Sequence, residues 1–281
     1  MDNAQRSRDD DGMWATSEAA RNWQRGAAAR ERALGPATGR VLELGGIGTG
    51  MRVLDIAAGT GEQSFPASRL VGSTGHILAT DISANMLALA AEQARALGLT
   101  NFATRVADAQ QLEVPDGSFD AAISRFGLMF MPDLHGVLTR IARALRPGGR
   151  LVAMVWSTPE RNPLFALPLA LARAGEGVAD APPTPDLFGL GDPQSLRAAY
   201  DRAGFAAVAV ETVALEFRYP SVAAFIAGGP GAVGPLANML AALDDDGRAR
   251  LRLAMAAALS PFEGPDGLVV PGEALIATGT R

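Results

Sequence analysis

The chain is expected to fold as a doubly wound α/β domain, and three observations carry that expectation. Short apolar runs recur and alternate with helical patterns along residues 51 to 156. Several runs read as buried parallel strands, apolar at nearly every position instead of at every second one. Acidic residues stand at the ends of three successive runs, Asp55, Asp81 and Asp108. In an open parallel sheet the strand ends converge on one edge, where ligands bind.

The elements follow in order. The first 12 residues, MDNAQRSRDDDG, read as a disordered tail. Residues 13 to 44 read as helical, rich in Ala, Glu and Arg. Trp14 and Trp23 stand about 180° apart on such a helix at ~100° per residue. Either the helix breaks between them or each packs on something different. Residues 45 to 50 (GGIGTG) form a turn. Residues 51 to 57 give the first strand, 76 to 80 the second, 102 to 107 the third, 119 to 124 the fourth and 151 to 156 the fifth.

Helices are expected between these strands. One spans about 62 to 71, with Pro66 tolerable only near its first turn. A second runs from the N-cap Ser83 to about Leu97. A third starts at Asp133 and stops at Pro147-Gly148-Gly149. Beyond Trp156, helices are expected over 162 to 174 and from Pro193 to Gly204, with a loop over 181 to 185. Residues 205 to 217 and 267 to 278 read as strands, and 220 to 260 as helix interrupted at 228 to 231.

Composition narrows the chemistry. The 281 residues include no Cys, and all 25 basic residues are Arg. Thiolate metal sites, disulfides and every lysine-based mechanism are excluded. With only His76 and His135, a histidine metal site is not expected, and none is assigned. The net charge of −5 and the 6% aromatic content argue against a nucleic-acid partner. No apolar run reaches the roughly 18–20 residues a membrane span needs. A soluble, cytoplasmic protein without membrane or nucleic-acid partners is expected. The Ala- and Leu-rich helices near 236 to 259 offer a face through which a homodimer can form.

The most informative stretch is Val53 to Glu62, VLDIAAGTGE. A strand enters a glycine turn and then a helix, whose free N–H groups suit an anionic group. Asp81 follows Gly61 by twenty residues, a spacing that suits ribose hydroxyls. Asp108 can accept a hydrogen bond from an adenine amino group. A dinucleotide-binding fingerprint would require glycine at 64, where this chain has Ser64. The earlier glycines at 46, 48 and 50 precede the strand and open no helix.

At these residues the chain resembles the class I S-adenosylmethionine-dependent methyltransferases. The subgroup nearest in pattern is related to the ubiquinone/menaquinone C-methyltransferases and to natural-product methyltransferases. The resemblance covers residues 50 to 157. It rests on VLDIAAGTG at 53 to 61, ATDIS at 79 to 83 with Met86 and Leu87, ADAQQL at 107 to 112, PDGSFD at 115 to 120 and LRPGGRL at 145 to 151. It implies a Rossmann-like seven-stranded sheet with the last strand antiparallel. An N-terminal helical cap (within residues 1 to 48) precedes the core (49 to 157). Lid helices and the final strands (158 to 281) follow.

The resemblance also implies S-adenosyl-L-methionine as cofactor. Asp55, Gly59 and Gly61 would hold its methionine part, and the family usually has Gly where this chain has Ala57. Asp81 would hold the ribose, with Ile82 against the adenine, and Asp108 and Ala109 the adenine edge; Ala57, Met86 and Ser124 complete the expected cofactor site. The acceptor is expected beyond the fourth strand, against Arg125, Phe126, Met129, Phe130 and Trp156 and under Trp14 and Trp23. His135, titrating near neutral pH, is the candidate base. The expected reaction is C-, O- or N-methylation of a small aromatic or apolar metabolite in natural-product or quinone-type biosynthesis. The competing expectations are an NAD(P)-dependent oxidoreductase and a regulatory module that binds the donor without transfer.

Overall fold

The computed structural model describes Trp14 and residues 16–174, 186–228 and 243–281. The expected tail, the loop at 181 to 185, the break after Gly228 and part of the helical face near 236 lie outside the described residues.

The helices α1 (Ser17–Arg25) and α2 (Ala27–Leu44) lead into strand β1 (Arg52–Ile56). Then come α3 (Ser64–Val71), β2 (His76–Asp81), α4 (Ala84–Ala96) and β3 (Phe102–Val106). They are followed by β4 (Phe119–Arg125), α5 (Leu134–Ala144) and β5 (Leu145–Trp156). The remainder comprises α6 (Pro163–Ala174), α7 (Pro193–Arg202), β6 (Ala206–Tyr219), α8 (Val222–Gly228), α9 (Asp245–Leu259), the short β7 (Glu263–Gly264) and β8 (Gly267–Thr280).

The strands lie in the order β3-β2-β1-β4-β5-β8-β6, with β7 pairing only with β8. All pairings from β3 to β5 are parallel. The final strand β8 inserts antiparallel between β5 and β6. The expected doubly wound, Rossmann-like sheet with an antiparallel last strand is present, and β7 adds a two-residue hairpin to it.

Successive strand residues face opposite sides of a sheet. Val53, Ile77, Ile123, Val152 and Met154 therefore pack on α2 and α3 through Leu34, Val41, Ala67 and Val71. Leu54, Ile56, Ala122, Leu151 and Val155 face the other way, onto Val137, Leu138 and Ile141 of α5 and Leu196 and Tyr200 of α7. Burial on both faces explains the continuous apolar runs.

Two expectations need correction. The N-terminal helix is broken at Gly26, and Thr16 caps α1 by accepting a hydrogen bond from the Ala19 N–H. Trp14 thus lies ahead of the capped helix, and the two indoles meet edge to face at 5.4 Å. The third inter-strand helix ends at Ala144, before Pro147-Gly148-Gly149. β5 already begins at Leu145, which pairs with Phe119. The register shifts between Phe119 and Ala121 to absorb the intervening proline and glycines. Pro66 sits in the first turn of α3, where its missing N–H costs nothing.

Candidate functional site

A cavity of about 350 Å³ opens at the C-terminal edge of the parallel strands. Its floor is the turn after β1. Gly59 and Gly61 both take positive φ (57° and 83°), which glycine adopts without strain. A Cβ on Gly61 would stand 2.7 Å from the Phe65 ring, so that position also needs glycine for close packing.

Ala57 shares the left-handed conformation, with φ 54°. Its methyl is accommodated from across the turn. A Cβ on Gly127 would fall 2.5 Å from the Ala57 Cβ, and Gly127 has none. The next non-glycine residue in a left-handed conformation is Phe126, at φ 58°, immediately before that glycine. Strain is concentrated where the β1 and β4 turns meet over the cavity, a common property of functional sites.

Asp81, at the end of β2, accepts hydrogen bonds from the Gly59 N–H and the Ser83 N–H, both at 2.8 Å. Its carboxylate therefore fixes the glycine turn as well as facing the cavity. Burial raises its pKa, against the lowering effect of these backbone donors. Asp108 caps the short turn after β3 by accepting from the Gln110 N–H at 2.8 Å, and it lines the cavity beside Ala109. Ile82 is 36% exposed, an unusual state for a large apolar side chain, and it faces the cavity with Met86.

Asp55 is placed differently from expectation. It is fully buried beneath the turn and does not line the cavity. Its carboxylate accepts hydrogen bonds from Gln63 Nε2 at 2.9 Å and from the Ser64 hydroxyl, tying the start of α3 to β1. Desolvation pushes its pKa up to about 7 despite these donors. Gly61 likewise shapes the turn without lining the cavity. Ser124 is buried below Gly127, with no hydrogen-bond partner for its hydroxyl. These three residues support the floor.

The residue missed by sequence reasoning is Glu62. It lines the cavity between two arginines. Its Oε2 accepts from Arg125 Nη2 at 2.7 Å and Arg30 Nε at 3.2 Å, and Oε1 accepts from Arg30 Nη2. Burial pushes the Glu62 pKa up, but the hydrogen bond from Arg30 and the two guanidinium charges outweigh it, and the net shift is downward. Glu62 directly follows the glycine turn, which was a usable signal. Arg30 stands 32 positions earlier, and nothing local links the two.

The expected acceptor residues Arg125, Phe126, Met129, Phe130 and Trp156 all line the cavity. Phe126 stacks on Trp156 at 3.9 Å between ring centres. Phe165 of α6 and Phe217 of β6 extend this wall, joined by Leu164, Leu169, Leu187 and Tyr219. Trp14 and Trp23 also line it, but they reach the glycine-turn end. The Trp14 carbonyl accepts from the Ser83 hydroxyl at 2.7 Å, and Trp23 Nε1 is 3.9 Å from the Cβ position of Gly59. Trp14 also meets Phe130 edge to face at 6.1 Å, so it reaches both the glycine-turn end and the expected acceptor wall.

His135 does not join the site. It is exposed on α5, whose buried stripe is Val137, Leu138 and Ile141, and it lies outside the cavity lining. His76 stands at the start of β2, the end opposite Asp81. Among the described residues no group of three or more His, Asp or Glu gathers to hold a metal. No helix among them is long and apolar enough to cross a membrane.

A family model described as a methyltransferase domain matches residues 53–149. The ubiquinone/menaquinone biosynthesis C-methyltransferase UbiE of Cellvibrio japonicus is 40% identical over 122 residues, 43% of this chain and 49% of that protein. The same enzyme of Pseudomonas savastanoi pv. phaseolicola is 41% identical over 119 residues, 42% and 46% of the two chains. The chain thus spans about half the length of the curated relatives it matches. Among solved structures, the YcgJ protein of Bacillus subtilis superposes with a TM-score of 0.59 at 17% identity, covering 87% of this chain and 97% of that one. The [4+2]-cyclase SpnF gives 0.54 at 23% identity, covering 88% and 80%. These structural likenesses show the fold.

Proposed function

We propose that the chain, whose residues 53–149 match a methyltransferase-domain model, is a class I methyltransferase that transfers a methyl group from S-adenosyl-L-methionine to a small aromatic or apolar metabolite. The observation that carries this reading is the joint placement of Asp81, Asp108, Ile82 and Met86 on one cavity floored by a glycine turn. The residue types fit the donor. Carboxylates at the ends of β2 and β3 match ribose hydroxyls and an adenine amino group, and the exposed Ile82 offers an apolar face to a purine.

Asp81 would hold the ribose, Ile82 and Met86 the adenine faces, and Asp108 with Ala109 the adenine edge. At the glycine-turn end, Glu62 would attract the α-ammonium and Arg30 the α-carboxylate of the methionine part. When bound, the donor supplies an electrophilic methyl on a sulfonium. Trp14 and Trp23 close over this end. Phe126, Trp156, Phe165 and Phe217 orient the acceptor and keep water out, which favours a displacement in which charge is lost. Natural-product or quinone-type biosynthesis is the setting we assign to the acceptor.

The test is calorimetry with S-adenosylhomocysteine and, separately, with NAD+ and NADP+. Saturable binding of S-adenosylhomocysteine alone is expected. Tight binding of a nicotinamide dinucleotide without it would overturn the reading. Labelled-methyl transfer across a panel of phenols, quinols and indoles then separates a transferase from a module that only binds the donor.

A further inference from the structure

The cavity carries a buried cation that the donor end does not use up. Of the charged groups in its lining, Asp81 and Asp108 stand at the strand ends, while Arg30, Glu62 and Arg125 form a separate cluster, two guanidiniums against one carboxylate. The side chains of Glu62 and Arg125 are only 10% and 6% exposed. Burying net charge is costly unless a partner arrives to pair with it. Both Glu62 oxygens are already engaged, as described above. A guanidinium has five N–H donors, and Arg125 spends one on Glu62 and one on Thr38 Oγ1 at 3.0 Å. The carboxylate beneath, Asp55, is hydrogen-bonded by Gln63 and Ser64 and feels the Arg125 charge, but burial pushes its pKa up to about 7, so it offsets that charge only in part.

Arg125 also stands where the acidic end meets the aromatic one. The next residue, Phe126, is held at φ 58° with its ring stacked on Trp156, and the wall continues through Phe165 at 4.7 Å from Trp156. We infer that the acceptor is a planar aromatic molecule bearing an ionised oxygen, paired with Arg125 while its ring lies along Phe126, Trp156, Phe165 and Phe217. This rests on the methyl-transfer reading and specifies its substrate class.

The rest of the lining agrees. Among the described lining residues there is no His, and the chain has no Lys or Cys. Tyr219 keeps its proton because burial raises its pKa against the nearby Arg30 and Arg32 charges. Glu62 is a poor base, held as an anion by two arginines. An acceptor that arrives as an anion needs none of these groups to remove a proton.

The experiment uses the full chain saturated with S-adenosylhomocysteine, titrated calorimetrically with 2-naphthoate and with its neutral isostere 2-naphthamide. The naphthoate is expected to bind at least about tenfold tighter, the effect of one desolvated charge pair. Arg125→Met should abolish that preference, and Glu62→Gln, which removes the opposing charge, should widen it. Equal affinities in the unaltered chain, or a narrower preference in Glu62→Gln, would overturn the inference while leaving methyl transfer intact. Those two arms stand even if Arg125→Met does not fold. If Arg125→Met weakens S-adenosylhomocysteine instead and keeps the naphthoate preference, Arg125 serves the donor carboxylate and the inference falls. Failure of the unaltered chain to bind S-adenosylhomocysteine at all removes the methyl-transfer reading, and this inference with it.

Discussion

Two carboxylates that looked alike in the sequence have different surroundings. Asp81 faces the cavity and holds the glycine turn through two backbone N–H groups. Asp81→Ala should weaken S-adenosylhomocysteine binding by roughly 1–3 kcal/mol through lost charged hydrogen bonds, read by calorimetry; unchanged affinity would refute the ribose assignment. Asp55 is sealed, with a pKa of about 7 against 3.8 for the ordinary group. Between those values the folded state binds more protons than the unfolded chain, so this group's contribution to stability falls as pH rises. The slope reaches about 1.4 kcal/mol per pH unit. Urea unfolding at pH 5 and pH 7.5 should therefore show a larger loss of stability with pH in the unaltered protein than in Asp55→Asn. The Ala57–Gly127 contact is a third residue-scale device. Gly127→Ala should destabilise the protein by about 1–3 kcal/mol through overpacking. In the Ala57→Gly background part of that loss should disappear, because the Cβ at 2.5 Å is gone while the Ser124 hydroxyl at 2.8 Å and the Ile56 carbonyl at 3.4 Å remain. A double-mutant cycle with no coupling energy would show that the two sites do not share this space.

At the scale of elements, the sheet and the cover behave differently. The inner parallel strands were readable because burial on both faces leaves continuous apolar runs between glycine turns, whereas the edge strand β3 is only partly buried. Strand-end logic then placed Asp81 and Asp108 at one cavity without any tertiary information. The cover was harder to read. α1 and α2 are separate helices broken at Gly26, and they reach the site through side chains far apart in sequence. Arg30 stacks on the Trp23 ring at 3.8 Å and bonds its carbonyl and Glu62, so one arginine ties the cover to the glycine turn. Truncating Trp23 should then loosen the cover more than the floor. Trp23→Ala is expected to raise the S-adenosylhomocysteine dissociation rate about tenfold with little change in association, measured by stopped-flow. An effect confined to association would mean that Trp23 guides entry instead of closing the site.

For the whole molecule, ligand binding and folding are linked. A ligand at a hundred times its dissociation constant stabilises the folded state by about 2.7 kcal/mol. Its size follows from mass action and does not depend on which contacts are made. Saturating S-adenosylhomocysteine should raise the melting temperature by a few degrees in a calorimetric scan, with NAD+ giving no shift. The same shift with NAD+ would show that the cavity does not discriminate by the donor's chemistry.

The doubly wound sheet, the glycine turn and the acids that reach the cavity from β2 and β3 were legible in the amino-acid sequence alone. These depend on periodicity, on glycine's freedom at positive φ and on the geometry of strand ends, all of which are local. Sequence reasoning expected Asp55 and His135 at a cavity whose lining includes neither, because burial and facing depend on what packs above a turn or beside a helix. The cluster of Glu62 with Arg30 and Arg125, the meeting of Trp14 and Trp23, and the completion of the aromatic wall by α6 and β6 arise on packing. Those contacts join residues distant along the chain, and no local pattern encodes a pairing that forms only when the elements pack.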